Sequence, residues 1–88
     1  MAKRGRLEIM KDILKIIQDS RNMIKPTPLL RKSGLSSASF KEYYFSLLEK
    51  GLIKLEENQD KQVVLTENGQ RFLEKYKTMV GFIEEFDL

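Results

Sequence analysis

Residues 33–53 read SGLSSASFKEYYFSLLEKGLI, and the way this stretch starts, repeats and stops decides the architecture. Ser36 and Ser37 are N-cap residue types, whose hydroxyl accepts from an orphan amide of a first helical turn and contributes ~1 kcal/mol. Gly51 follows Glu49 and Lys50 where a left-handed residue ends a helix. Between these signals Phe40, Tyr44, Leu47 and Leu48 recur at i, i+4, i+7 and i+8, with Tyr43 at the edge. That spacing predicts a helix over 36–50 with one apolar face on a core. The opposite face carries Ala38, Lys41, Glu42, Phe45 and Glu49, and it is the face free to meet a partner.

Upstream, Leu7, Ile9, Met10, Ile13, Leu14, Ile16 and Ile17 recur at helical spacing and predict a helix from 6 to about 20, its wide stripe serving the core. Residues 24–33, IKPTPLLRKS, follow. Pro26 biases Lys25 away from helix, Thr27 is a natural N-cap and Pro28 suits the first helical position, where a missing amide costs nothing. A short helix over roughly 28–32 follows, with Leu29 and Leu30 on its buried side. Ser33 and Gly34 turn the chain, and Leu35 plugs the angle between the two helices.

Downstream, residues 52–56 alternate and 62–65, QVVL, are apolar and β-branched, so a hairpin is expected with 57–61 as its tip. Glu56, Glu57 and Asp60 outnumber Lys54 and Lys61 there, a poor complement to phosphate, which leaves Lys61, Asn58 and Gln59 as the useful contacts. Thr66 is the next cap, with Glu67 in the first turn suiting the dipole. Phe72, Leu73, Tyr76, Met79, Val80, Ile83 and Phe86 then repeat at spacings of three and four. A helix of about twenty residues, ~30 Å, exceeds what a small core covers, so its second half is expected to pair with a second copy of the chain. Gly81 offers the alternative of a helix end, with 82–88 folding back.

The order of helix, helix-turn-helix, hairpin and long helix predicts a mainly α fold with a β-hairpin wing: a winged helix-turn-helix with a three-helix core and a two-stranded wing. Residues 1–5 are expected to form a flexible basic arm containing Lys3 and Arg4, 6–66 the winged-helix domain, and 67–88 a C-terminal helix serving dimerisation. With 88 residues the chain has room for one core. Neither cysteine nor histidine is present, which removes disulfides, thiolate and imidazole metal ligands and the commonest catalytic base. No enzyme, cofactor or metal site is expected. No apolar run approaches a membrane span and the N-terminus lacks a signal-peptide pattern, so a cytoplasmic, nucleoid-associated location is expected. The net charge is only +3, but 1–50 hold 11 Lys and Arg against 5 Asp and Glu, whereas 51–88 hold 5 against 8. The basic half is the half with the two short helices.

The segments KPTPLLRKSGLS, YYFSLLEKGLI and VVLTENGQRFLEKY, taken together, resemble the small archaeal winged helix-turn-helix proteins with a long C-terminal helix. The resemblance rests on Thr27, Leu35, Ser36, Tyr43, Leu47, Gly51, Leu52, Ile53, Leu65, Thr66 and Gly69, and spans about 7–80. It implies a DNA-binding regulator or chromatin-type protein that dimerises by antiparallel pairing of the last helices. The acidic wing departs from the more basic members.

The expected partners are therefore double-stranded DNA and a second copy of the chain. Base reading is expected from Ser37, Ala38, Ser39, Lys41 and Glu42: Lys reaches guanine acceptors, Ser bonds several base edges or a phosphate, Ala touches a thymine methyl, and Glu42, which repels phosphate, either accepts from a cytosine amine or lies off the groove. Lys25, Thr27, Arg31, Lys32, Ser36 and Lys61 are the expected phosphate contacts, with Lys3, Arg4 and Arg6 in reserve. Phe72, Tyr76, Met79, Val80, Ile83 and Phe86 are the expected dimerisation residues. A winged-helix protein-interaction module is the alternative, favoured by Phe45, Glu42, Glu49 and the acidic wing and opposed by the basic first half; an effector-binding regulator is a third, for which no pocket residues stand out.

Overall fold

The computed structural model describes residues 5–56 and 61–88. The expected elements are present, together with one short strand that periodicity does not announce. Helix α1 (Arg6–Asp19) buries Met10, Ile13, Leu14 and Ile17, an i, i+3, i+4, i+7 stripe. It ends at Ser20, after which Arg21 and Asn22 both take positive φ, at 63° and 66°. The reversal is held by the Asn22 amide, which donates to the Ile17 carbonyl at 2.9 Å.

Strand β1 (Met23–Ile24) follows and pairs antiparallel with β3 (Gln62–Leu65), Met23 opposite Val64 and Ile24 opposite Val63. Strand β2 (Ile53–Glu56) pairs with the other side of β3, so the sheet runs β1-β3-β2. Two residues carry no readable period, and the strand exists because the α1 turn delivers them to the free edge of β3. The wing is thus the outer part of a three-stranded sheet. Its inner face is set by the two-residue pleat, which buries Val63 and Leu65 and, across from Leu65, Ile53.

Helix α2 spans Pro26–Ser33 and α3 spans Ser37–Glu49. The start of α2 corrects the expectation for Thr27. Lys25 occupies the N-cap position with φ −72° and ψ 150°, no side chain caps the helix, and Pro26 opens it. Proline's fixed φ suits a first helical residue, and its own restriction on Lys25 keeps that residue extended, so the helix begins two residues early. Thr27 therefore lies inside the first turn.

Between α2 and α3 the chain turns at Gly34, φ 72°. Ser33, buried here, ties the corner: its Oγ donates to the Leu30 carbonyl at 2.6 Å and accepts from the Leu35 amide at 3.2 Å. Helix α3 presents Phe40 and Leu47 to the core, which they share with the buried face of α1, Ile24, Leu29, Ile53 and Val63. Full burial of such side chains contributes ~1.5–3 kcal/mol each.

Helix α4 (Glu67–Glu85) continues through Gly81 for 19 residues, which disfavours the fold-back alternative. It is capped by Thr66, whose Oγ1 accepts from the Gly69 amide at 3.0 Å. Gly69 is buried at the point where α4 crosses the start of the wing; a Cβ there would strike the Leu52 carbonyl and the Leu65 side chain. Phe72 and Leu73 pack on the core, and Phe72 stacks on Tyr76 at 6.4 Å. Beyond Val80 the apolar side chains Phe82, Ile83, Phe86 and Leu88 are exposed.

Candidate nucleic-acid interface

The site is built on the amino end of α3. Ser36 is its N-cap, extended at φ −65° and ψ 159°, and its Oγ accepts from the Ser39 amide at 3.2 Å. One expected phosphate contact is therefore also a cap. Ser37, Ala38, Lys41 and Glu42 are exposed, and Ser39, whose amide donates to the cap, is half-buried. Behind them Phe40 and Leu47 anchor the helix, so the outward stripe rides on a rigid base.

The three-residue turn after Ser33 places the carboxyl end of α2 beside this amino end in the chain. Arg31 and Lys32 lie in the last turn of α2 and are exposed. Lys25 and Thr27 are exposed at the other end of α2, ~10 Å away along its axis, at its first-turn amides. Lys61 is exposed where the chain enters β3. Among the remaining wing groups, Lys54 faces Glu56 at 3.9 Å. Lys3 and Arg4 of the arm, and Glu57, Asn58, Gln59 and Asp60 of the wing tip, lie outside the described residues.

Arg6 takes a role that its place in the sequence does not suggest. Its Nη2 donates to Ser46 Oγ at 3.3 Å, and its guanidinium lies 5.5 Å from the centroid of the Tyr43 ring. It ties the start of α1 to the middle of α3. The partners are 40 residues apart, and no local pattern links them.

The pKa values of Lys11 and Tyr44 are shifted. Lys11 is held above its usual value chiefly by its hydrogen bond to Asp12, against a smaller opposing effect of burial. The Tyr44 hydroxyl, on α3 itself, has its pKa pushed up by burial. No cluster of three or more Asp and Glu side chains able to hold a metal occurs among the described residues, and no described helix is long and apolar enough to cross a membrane.

The winged helix-turn-helix family model matches residues 3–84. The chain belongs to the winged helix-turn-helix family. As a winged helix-turn-helix protein it is also similar to two solved structures. Sso10a-2, a DNA-binding protein from Sulfolobus solfataricus, is 21% identical with a TM-score of 0.74, over 94% of this chain and 85% of that one. SSV1 F-93 is 22% identical with a TM-score of 0.63, over 88% of this chain and 91% of that one. No curated protein matches this winged helix-turn-helix chain in sequence.

Proposed function

We propose that this protein is a homodimeric DNA-binding regulator that inserts α3 into the major groove. One observation carries the reading: the outward stripe of α3, with Ser37, Ala38, Lys41 and Glu42, is exposed on a helix whose other face is locked into the core. A major groove ~12 Å wide admits one helix, and these side chains are of the types that meet base edges. Arg31 and Lys32 beside it, Lys25 and Thr27 at the start of α2, and Lys61 at the wing supply the phosphate contacts, with Ser36 at the helix start. The DNA-binding designation of the Sso10a-2 structure supports the same reading.

The dimer is formed by α4. Tyr76 and Val80 are half-buried against the chain's own domain, while Met79, Ile83 and Phe86 are exposed on a helix that outruns it. Covering that stripe with a second copy removes apolar surface from water and presents two α3 helices on one duplex, at half-sites ~34 Å or a multiple apart. A nucleoid-associated location in the cytoplasm follows from this role.

Titration of the protein with mixed genomic duplex at several salt concentrations tests the proposal. Six phosphates neutralised per dimer give a log-log slope of roughly −5. A slope near zero contradicts it.

A second reading, a protein-interaction module, draws on Glu42 and Glu49, two carboxylates on the outward face of α3 that repel phosphate. It requires that α3 lose no partner affinity when Lys41 is removed and that duplex DNA not bind even at low salt.

A further inference from the structure

We infer that Phe45 is a base-reading residue whose ring meets the 5-methyl group of a thymine in the major groove, an inference that rests on the DNA-binding reading above. Phe45 is 57% exposed, a large apolar ring on the otherwise polar face of α3. It completes a stripe with Ala38, Lys41 and Glu42 at i, i+3, i+4 and i+7, all exposed. The same spacing sets the four base-contacting positions of a homeodomain recognition helix, because side chains so spaced line one side of an α-helix in a groove. From Ala38 to Phe45 the axis rises ~10 Å, about three base-pair steps.

The ring is held in place from within. Phe40, 7% exposed, stacks on Tyr44 with centroids 5.6 Å apart and planes at 23°. Tyr44 meets Phe45 edge-on at 5.8 Å and 62°. This ladder from core to surface orients the outermost ring before any partner arrives, and an aromatic side chain has only two torsions to immobilise.

The chemistry narrows the target. A phenyl ring neither donates nor accepts a conventional hydrogen bond, and the thymine methyl is the apolar group that base edges present in the major groove. Glu42 and Glu49 lie one turn to either side of Phe45 on the same face, and their charge opposes a phosphate backbone at this level of the helix. Base edges are the compatible surface.

The test uses the full chain. A duplex is enriched from a random-sequence pool on the wild type, and its affinity is measured by fluorescence anisotropy with thymine present or replaced throughout by deoxyuridine, which lacks the methyl. Wild type binds the thymine duplex about fourfold more tightly for each methyl contacted, the factor for burying one methyl-sized group. Phe45→Ala, at an exposed position and verified as folded by circular dichroism, loses about fourfold of that preference, the share of the one methyl its ring covers, and keeps whatever Ala38 contributes. A wild type that binds DNA but ignores the methyl overturns the inference while leaving the DNA-binding reading intact. Full methyl discrimination in Phe45→Ala also overturns it, by assigning the contact elsewhere. Failure of the wild type to bind any duplex overturns both, and if Phe45→Ala also loses a protein partner, the surface is a protein-docking one.

Discussion

The Thr66 hydroxyl donates to the Gly51 carbonyl at 2.7 Å, joining the first residue before α4 to the left-handed glycine that ends α3. The same oxygen accepts from the Gly69 amide, and the Thr66 amide donates to the Leu52 carbonyl at 3.2 Å. One threonine therefore sets how α3, the wing and α4 meet. Thr66→Val keeps the shape but leaves a part-buried carbonyl and amide without partners, which costs ~2 kcal/mol and lowers the unfolding midpoint by ~10 °C. Thr66→Ser retains most of the stability. Thermal denaturation of both variants at one protein concentration checks the pair.

Two glycines of α4 respond in opposite directions to the same substitution. At Gly69 the added methyl meets the Leu52 backbone carbonyl, which cannot rotate away, so Gly69→Ala destabilises by ~2 kcal/mol despite alanine's better helix propensity. At Gly81 nothing lies within 4 Å, the residue is exposed and the helix is continuous, so Gly81→Ala stabilises by ~0.5–1 kcal/mol. Urea denaturation with an unchanged slope measures both.

If α4 pairs with a second copy, Phe82, at 55% exposure, and Phe86, at 58%, matter for association and not for the fold of one chain. Their rings already lie 4.9 Å apart. Phe82→Glu with Phe86→Glu is expected to shift the sedimentation coefficient to that of a monomer while circular dichroism stays close to wild type. Retention of a dimer by this variant places the interface elsewhere.

Lys41 and Arg31 separate base reading from phosphate binding. Removing one bidentate base contact costs ~1–3 kcal/mol and relaxes sequence preference at one position, the outcome expected for Lys41→Ala. Arg31→Ala weakens all duplexes alike and makes the salt slope shallower by about one for each phosphate that is no longer neutralised. Anisotropy titrations on the enriched and a scrambled duplex distinguish the two.

Alkaline pH should weaken the fold. Burial raises the Tyr44 pKa above its ordinary 10.0, so the native state holds the phenolic proton more tightly than the unfolded chain. Stability is complete below pH 10 and falls as pH rises through the folded value. Lys11, raised from 10.5 chiefly by its hydrogen bond to Asp12, acts in the same direction. Tyr44→Phe removes the phenol's share and flattens the decline in a denaturation series from pH 9 to 12.

The helices and the hairpin were legible in the sequence because their signals are local. Ser36, Gly51 and Thr66 mark boundaries through bonds to residues three positions away or through their own backbone angles, and Phe40, Leu47, Ile13 and Ile17 mark buried faces by period alone. The outward stripe of α3 followed as the complement of its buried one. The early start of α2 lay within reach of the same reasoning, since Pro26 is as good a first residue as Pro28; the choice between them turned on which one followed an extended Lys25.

Long-range features were not legible. Strand β1 is two residues whose pairing depends on the edge of β3 some 40 positions later, and Arg6 reaches Ser46 and Tyr43 only because α1 and α3 share a core. The need for glycine at position 69 arises from Leu52 and Leu65 crossing over it. Local propensity and periodicity act within a few residues of chain and name the elements; contacts between distant segments, which exist only once the core has closed, settle how those elements meet.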